Sequence, residues 1–133
     1  MSGPHHFPIR VYYEDTDFSG NVYHAAYLKF FERGRTELLR DFGIHHSVLA
    51  RDGLAFAVRA MELQFLGAAH IDDLLVVSTA VRSVTGVRLT LQQTIERDGM
   101  HLTQAEVVVV AINTAGGVAR LPRALRTRLS AGR

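Results

Sequence analysis

The longest hydrophobic pattern in the chain has a period of three to four residues and covers residues 22–42. Charged side chains fall mostly on the opposite side, so the pattern predicts one long amphipathic helix. Its apolar positions are Tyr23, Ala26, Tyr27, Phe30, Phe31, Gly34, Leu38 and Phe42. Gly43 follows where helices commonly end in a left-handed residue, and it is the expected C-terminal cap. A short second helix is predicted at residues 47–52.

Other segments alternate apolar and polar side chains with a period of two, which is typical of half-buried strands. The first strand is predicted at residues 7–13, and its apolar side carries Phe7, Ile9, Val11 and Tyr13. Further strands are predicted at residues 54–65, 73–84, 87–97 and 102–113. Because the turn-forming pairs Thr85-Gly86 and Asp98-Gly99 separate the last three segments, these segments are expected to form antiparallel hairpins.

The predicted order of elements is one strand, one long helix and then several antiparallel strands. A lone helix with a broad aromatic stripe must bury that stripe, and the sheet is its available partner. We therefore expect an α+β fold in which a curved antiparallel sheet wraps around one long central helix. The 133 residues are predicted to form a single domain, residues 1–133. Residues 118–121 are expected to extend the sheet, and the arginine-rich tail from Pro122 to form a short helix.

Composition narrows the range of functions. The chain has no cysteine, which excludes disulfides, a cysteine nucleophile and thiolate metal sites, and fits a reducing compartment. The net charge is +2, and the basic residues are mostly dispersed, so nucleic-acid binding is not expected. No apolar run is long enough for a transmembrane segment, and the first residues do not form a signal-peptide core. These features predict a cytoplasmic protein.

The segment between the first strand and the long helix, residues 12–24, has the composition of an active-site loop. It places Asp17 and Gly20 shortly before the helix. The free N–H groups and the dipole of a helix N-terminus stabilise an oxygen that becomes negatively charged. Asp17 is the candidate catalytic carboxylate, and Gly20 lets the backbone approach a ligand closely. The alternative interpretation makes Asp17 a loop residue that caps its own backbone.

Nucleophilic attack on a thioester requires a helix-terminal N–H group that binds the carbonyl oxygen and a carboxylate on the other side of the carbonyl. His24 is the second candidate, through its backbone N–H, its imidazole or neither. No metal site is predicted, because Glu14, Asp15 and Asp17 do not converge easily. A carboxylate of the long helix, Glu32 or Glu37, is the main rival to Asp17 as the reacting group. The chain lacks a serine nucleophile elbow, a P-loop and a dinucleotide-binding fingerprint.

The loop and the start of the helix also carry a specific set of residues: Val11-Tyr12-Tyr13-Glu14-Asp15-Thr16-Asp17, Gly20, Val22-Tyr23-His24-Ala25, Tyr27, Phe31-Glu32-Arg33 and Arg35-Thr36-Glu37. Weaker matches follow at Ala55-Phe56, Val58-Arg59, Asp72-Asp73, Leu89, Gln93, Ala105-Glu106-Val107 and Pro122-Arg123. With these residues the chain resembles the hot-dog fold acyl-CoA thioesterases of the 4-hydroxybenzoyl-CoA thioesterase family, in the bacterial branch associated with the Tol-Pal system.

The resemblance implies hydrolysis of acyl-CoA to a free acid and CoA, without a metal or a bound organic cofactor. It also implies a homotetramer built as a dimer of dimers. In the family the residue matching Asp17 is catalytic, and the backbone N–H at the position of His24 faces the thioester oxygen. Family active sites lie at a dimer interface, so strand residues near Val58 and Arg59 of a neighbouring chain are expected to line the site. Arg88 is expected to contact a CoA phosphate, on the basis of its charge alone. The expected substrate-binding residues are Gly20, Val22, Tyr23, Val58, Arg59 and Arg88.

Two departures from the family pattern concern the substrate. Phe18 stands where smaller residues are common, and it is expected to narrow the acyl pocket; residues 67–70 lack the usual Pro-Ala pair. Two other functions remain open. One is a hot-dog hydratase or dehydratase acting on an acyl thioester. The other is a non-catalytic module that binds acyl-CoA, or that binds nucleic acid through residues 120–133.

Overall fold

The computed structural model describes residues 3–131, which contain five strands and three α-helices. The elements in chain order are β1 (His5–Arg10), α1 (His24–Asp41), α2 (His46–Arg51), β2 (Leu54–Phe65), β3 (Leu74–Val84), β4 (Arg88–Arg97), β5 (Met100–Asn113) and α3 (Arg123–Ala131). The strands form one antiparallel sheet in the order β1-β3-β4-β5-β2. This confirms the predicted α+β class, and the arrangement is the hot-dog fold that the resemblance implied.

The helix α1 buries one face against the sheet and contacts β1, β3 and β4. Its buried residues are Ala26, Tyr27, Phe30, Phe31, Gly34, Leu38 and Leu39. Gly34 marks the closest approach, because a Cβ atom there would lie 2.5 Å from Cγ1 of Val77 on β3. A glycine is therefore needed for the helix to lie this close to the sheet.

The long helix begins two residues later and ends one residue earlier than predicted. Val22 stays extended because it pairs with Thr16 and donates its N–H to the Ala69 carbonyl. At the other end Gly43 adopts a φ of +77°, and its N–H donates to the Arg40 carbonyl. The predicted glycine cap is confirmed.

Two strand predictions were wrong. The first strand ends at Arg10, and Tyr13 lies instead in a single 3-10 turn, Tyr13–Asp15, with 83% of its surface exposed. The turn forms because the Asp15 carboxylate accepts the Tyr12 N–H at 2.8 Å. Residues 118–121 contribute one bridge, from Val118 to Ile112, and no strand.

The remaining strands and the two short helices match their predicted positions to within two residues. In α3, Leu125 and Leu129 are buried. Strand β2 lies at one edge of the sheet and pairs only with β5 among the described residues. No helix within residues 3–131 has the length and hydrophobicity required to cross a bilayer.

Candidate active site

The chain between β1 and α1 forms a tight turn at Asp17. The Asp17 N–H donates to the Asn21 carbonyl at 2.9 Å, and the Gly20 N–H donates to the Asp17 carbonyl at 3.0 Å. Gly20 adopts a φ of +83°, a conformation that costs glycine little. The turn therefore holds the Asp17 backbone beside the segment that leads directly into α1.

The turn and the helix start are fixed to residues 69–71. Ile71 N–H donates to the Gly20 carbonyl at 3.1 Å, and Val22 N–H donates to the Ala69 carbonyl at 2.8 Å. The Ala69 N–H in turn donates to the hydroxyl of Tyr27, a buried residue of α1 whose pKa is raised by burial. Because each bond ties the loop or the helix to the same segment, the geometry of the site is preorganised.

The Asp17 carboxylate is exposed and bonded on one oxygen only. Its Oδ1 atom accepts hydrogen bonds from the hydroxyl and the N–H of Ser19, the latter at 2.9 Å. These two bonds hold the pKa of Asp17 below its ordinary value of 3.8, so the group is ionised at neutral pH. Its Oδ2 atom has no hydrogen-bond partner in residues 3–131. Capping therefore occupies one oxygen of Asp17 and leaves the other available to a ligand.

The N-terminus of α1 carries unsatisfied donors. Tyr23 is the N-cap residue, and it makes no side-chain capping bond. Among the described residues, the N–H groups of His24 and Ala25 have no acceptor, and the first turn contains no acidic side chain. These N–H groups and the positive end of the helix dipole form a site for a negatively charged oxygen. The His24 imidazole is exposed and lies against the Tyr23 ring, with centroids 4.4 Å apart.

A cavity of about 400 Å³ lies farther along α1, between the helix and the sheet. It is lined by Glu32, Arg35, Thr36, Leu39, His46, Phe56, Val58, Leu89, Leu91 and Val109. The Arg35 guanidinium donates to Oε1 of Gln93 at 3.1 Å. Burial lowers the pKa of Arg35, and the charge of Glu32 opposes that shift. The cavity combines a largely apolar wall with a few polar groups, as ligand pockets commonly do.

A single chain brings together only part of the predicted site. Gly20, Val22 and Tyr23 lie with Asp17 and His24, and this part follows from their places in one turn and one helix start. Asp17 lines none of the cavities described among residues 3–131. Because Asp17 is exposed, this part of the site opens outward in the single chain.

The other predicted residues lie at the opposite end of the sheet. The loop contacts residues next to the start of β3, whereas Val58 and Arg88 pair with Val109 and Val110 on β5, near the end of β3. An 11-residue strand spans about 36 Å at 3.3 Å per residue. Val58 lines the 400 Å³ cavity, and Arg59 occupies a register shift in β2. Phe18 is fully exposed and lines none of the larger cavities described.

Sequence reasoning gave Arg35 and Gln93 as matches to the family but did not name them as site residues. Both have a detectable signal, because each places a polar side chain on an otherwise apolar face. Gln93 continues the inward series of Leu89 and Leu91 on β4, and Arg35 follows Phe31 by one helical turn on α1. Such a position requires a buried partner, which the pattern itself does not identify.

We expect Ser19→Ala to raise the pKa of Asp17 toward 3.8, because the substitution removes the strongest hydrogen bond to the ionised form. The lowered pKa keeps the Asp17 carboxylate charged down to lower pH. When Ser19→Ala raises that pKa, any activity that depends on ionised Asp17 is therefore lost at a higher pH during acidification. Carbon-detected NMR titration of the Asp17 carboxyl measures the shift. Ser19→Thr keeps the hydroxyl and is the matched control; equal pKa values in the two variants contradict the assignment.

Comparison with known proteins identifies the class. The sequence profile of the thioesterase-like superfamily matches residues 11–129, so the chain belongs to this superfamily. The acyl-CoA thioesterase YbgC of Haemophilus influenzae is 44% identical to it over 108 residues, which cover 80% of this chain and 79% of that protein. The acyl-CoA thioester hydrolase YbgC of Escherichia coli O6:H1 is 41% identical over 108 residues, which cover 80% of this chain and 81% of that protein.

Solved structures agree with this assignment. The crystal structure of a probable thioesterase from Bartonella henselae matches with a TM-score of 0.87 and 46% sequence identity, and covers 90% of this chain and 100% of that chain. A hypothetical protein of Thermus thermophilus, TT1821, has a TM-score of 0.91 at 24% identity and shows the same fold. The predicted resemblance to the hot-dog thioesterases is confirmed, and the protein is an enzyme of the thioesterase class. The association with the Tol-Pal system stays a prediction.

Proposed function

We propose that the protein hydrolyses acyl-CoA thioesters to a free acid and CoA, with Asp17 as the reacting carboxylate. One observation carries the proposal: the free Oδ2 atom of Asp17 lies on the turn that leads into the unsatisfied N–H groups of α1. The names of the Haemophilus and Escherichia relatives support CoA thioesters as substrates. The His24 N–H is the donor assigned to the thioester oxygen, and the dipole of α1 reinforces it.

Two routes use these groups. In the first, Asp17 attacks the thioester carbon, the carbon–sulfur bond breaks, and the CoA thiolate leaves and takes up a proton. Water then hydrolyses the mixed anhydride. In the second, Asp17 accepts a proton from water as the water attacks the same carbon, and the tetrahedral intermediate expels the thiolate. Both routes place negative charge on the oxygen beside the helix N-terminus.

A second copy of the chain completes the proposed site. The outward-facing Asp17 loop needs a wall that its own chain does not provide, and the exposed Phe18 ring beside it favours contact with another surface. The unpaired edge of β2 allows pairing with a second β2 strand. Val58 and Arg59 of the second chain then line the site. A homotetramer and a cytoplasmic location remain predictions.

The 400 Å³ cavity is the proposed acyl pocket of this shared site. Val58 lies on its wall, and its volume falls within the range of about 300–1,000 Å³ that ligand pockets occupy. The apolar side chains Phe56, Leu89 and Leu91 suit an acyl group, whereas Glu32 and Arg35 are placed for a polar substituent.

A thiol-release assay over short, long and aromatic acyl-CoA substrates tests the proposed reaction. We expect free CoA and free acid in equal amounts from at least one substrate class. A change in enoyl absorbance without thiol release indicates a hydratase or dehydratase instead. Tight binding of acyl-CoA without thiol release from any substrate indicates a binding module and contradicts the proposal.

A single turnover in ¹⁸O-labelled water tests the nucleophilic route. Incorporation of the label into the Asp17 carboxylate indicates nucleophilic attack, with water then hydrolysing the anhydride at the Asp17 carbon. Label found only in the released acid is expected from general base catalysis and equally from water attack on the acyl carbon of the anhydride, so only label in Asp17 decides between the routes.

A further inference from the structure

A second cavity, of about 440 Å³, lies between the end of β3 and the helix α3. It is lined by Val84, Thr85, Arg123, Arg126, Thr127 and Ser130. No carboxylate of residues 3–131 lines it, and the sequence contains no acidic side chain after Glu106. Among the described residues, two guanidinium groups and several hydroxyl groups therefore share one concave surface without a negative charge.

The walls of this cavity are fixed by packing and hydrogen bonds. Leu125 and Leu129 bury the inner face of α3, and Arg128 donates to the Phe42 carbonyl at 2.8 Å. Across the cavity, the Leu121 N–H donates to the Gly86 carbonyl at 2.7 Å, which holds the turn next to Thr85. The relative position of Arg123, Arg126 and this turn is therefore set by the fold.

The two arginines that line the cavity have no side-chain partner among residues 3–131. The Nε atom of Arg126 is buried and makes no hydrogen bond in that part of the chain. No ion pair in residues 3–131 involves Arg123 or Arg126, whereas Arg97, Arg82 and Arg40 each pair with a carboxylate. A buried donor without an acceptor is costly and requires an explanation. A ligand oxygen satisfies it only if the Arg126 side chain turns its Nε atom toward the cavity.

We propose that this cavity binds a phosphate group, with Arg123 and Arg126 pairing with its charge and the hydroxyls of Thr127 and Ser130 donating to its oxygens. A phosphate offers several acceptor oxygens and more than one negative charge, which matches two planar guanidinium forks better than a single carboxylate does. Free phosphate and the terminal phosphate of a CoA molecule share this chemistry.

This site is separate from the Asp17 loop of the same chain. The helix α3 bonds to Phe42, at the C-terminal end of α1, and Asp17 precedes the N-terminal end. The 18 residues of α1 span about 27 Å at 1.5 Å per residue. The phosphate site therefore does not depend on the catalytic assignment.

Calorimetric titration of the full-length protein with inorganic phosphate tests the proposal. We expect Arg126→Gln to weaken binding by about tenfold or more, because it removes charge-assisted hydrogen bonds. Arg126→Lys keeps the charge but loses the Nε donor and the planar fork, so we expect binding weakened severalfold. Arg51→Gln removes an exposed charge from α2 and serves as the matched control, with unchanged affinity expected.

A parallel titration with CoA and dephospho-CoA identifies the source of the phosphate. If CoA is the source, Arg126→Gln weakens CoA but leaves dephospho-CoA unchanged; if free phosphate is the source, neither changes while phosphate binding falls. If Arg126→Gln does not fold, Arg123→Gln and the phosphate-induced shift of the Arg126 Nε–H NMR signal replace it. The proposal is overturned if neither phosphate nor CoA shifts the Arg126 Nε–H signal of the wild-type protein. It is also overturned if Arg51→Gln weakens phosphate binding as much as Arg126→Gln does.

Discussion

Asp17→Asn is expected to lower turnover of acyl-CoA substrates by about a thousandfold, while the fold stays intact. An amide is neither a nucleophile nor a base, so both proposed routes lose their reacting group; loss of a general base alone costs about 10²–10⁴-fold. The Asn side chain keeps an oxygen that accepts the Ser19 N–H, so the turn persists. Thiol-release kinetics and thermal unfolding of the variant measure the two effects separately.

Glu14→Gln is the control for Asp17→Asn. Glu14 is exposed in the neighbouring 3-10 turn, and its side chain makes no hydrogen bond within residues 3–131. The Glu14→Gln substitution removes one negative charge from the same loop. We expect its turnover to stay within about threefold of wild type, because salt screens the interaction between exposed charges that lie apart. Full activity of Asp17→Asn, or an equal loss in Glu14→Gln, contradicts the role of Asp17.

Gln93→Leu is expected to lower the free energy of unfolding by about 2–4 kcal/mol. The fully buried Gln93 amide donates to the Phe31 carbonyl of α1 at 3.0 Å and to Oγ1 of Thr79 on β3 at 2.9 Å. Its Oε1 atom also accepts a hydrogen bond from the Arg35 guanidinium at 3.1 Å. Leucine leaves these groups without their partner, and each unsatisfied buried group costs about 1–3 kcal/mol. Chemical denaturation measures the change.

Gln92→Leu makes the same chemical change one residue away on the opposite face of β4. The Gln92 amide accepts a bond from exposed Arg82, so solvent replaces that bond when it is lost. We expect a change within about 0.5 kcal/mol, as for most surface substitutions. If the two variants unfold at the same denaturant concentration, the buried network does not stabilise the fold as described.

Most of the fold was predictable because each element is encoded locally. The 3.6-residue period of α1, the glycine cap at Gly43 and the Asp98-Gly99 turn each follow from a short stretch of sequence. Tyr13 was assigned to the wrong structure because its position continued an alternation by coincidence. A local bond between Asp15 and the Tyr12 N–H decided the conformation instead, and periodicity does not detect such a bond.

The candidate site was predictable only in its local part. Asp17, Gly20 and His24 are close in sequence, so one turn and one helix start place them together. The cavity near Arg35 and Gln93 depends on the packing of α1 on β4, which joins residues about 60 positions apart in the chain. Val58 and Arg88 lie far from Asp17 within one chain, and no pattern in the sequence gives the distance between two chains.

A crystal structure with a ketone analogue of acyl-CoA, in which a methylene replaces the thioester sulfur, tests the central claim most directly. The account predicts the ketone oxygen at about 2.7–3.1 Å from the His24 or Ala25 N–H. An Asp17 oxygen lies about 3–3.5 Å from the carbonyl carbon if Asp17 attacks directly, or it accepts a hydrogen bond from a water beside that carbon if Asp17 is the general base. A ketone bound away from the start of α1, or one that faces that helix end with Asp17 turned away, contradicts it.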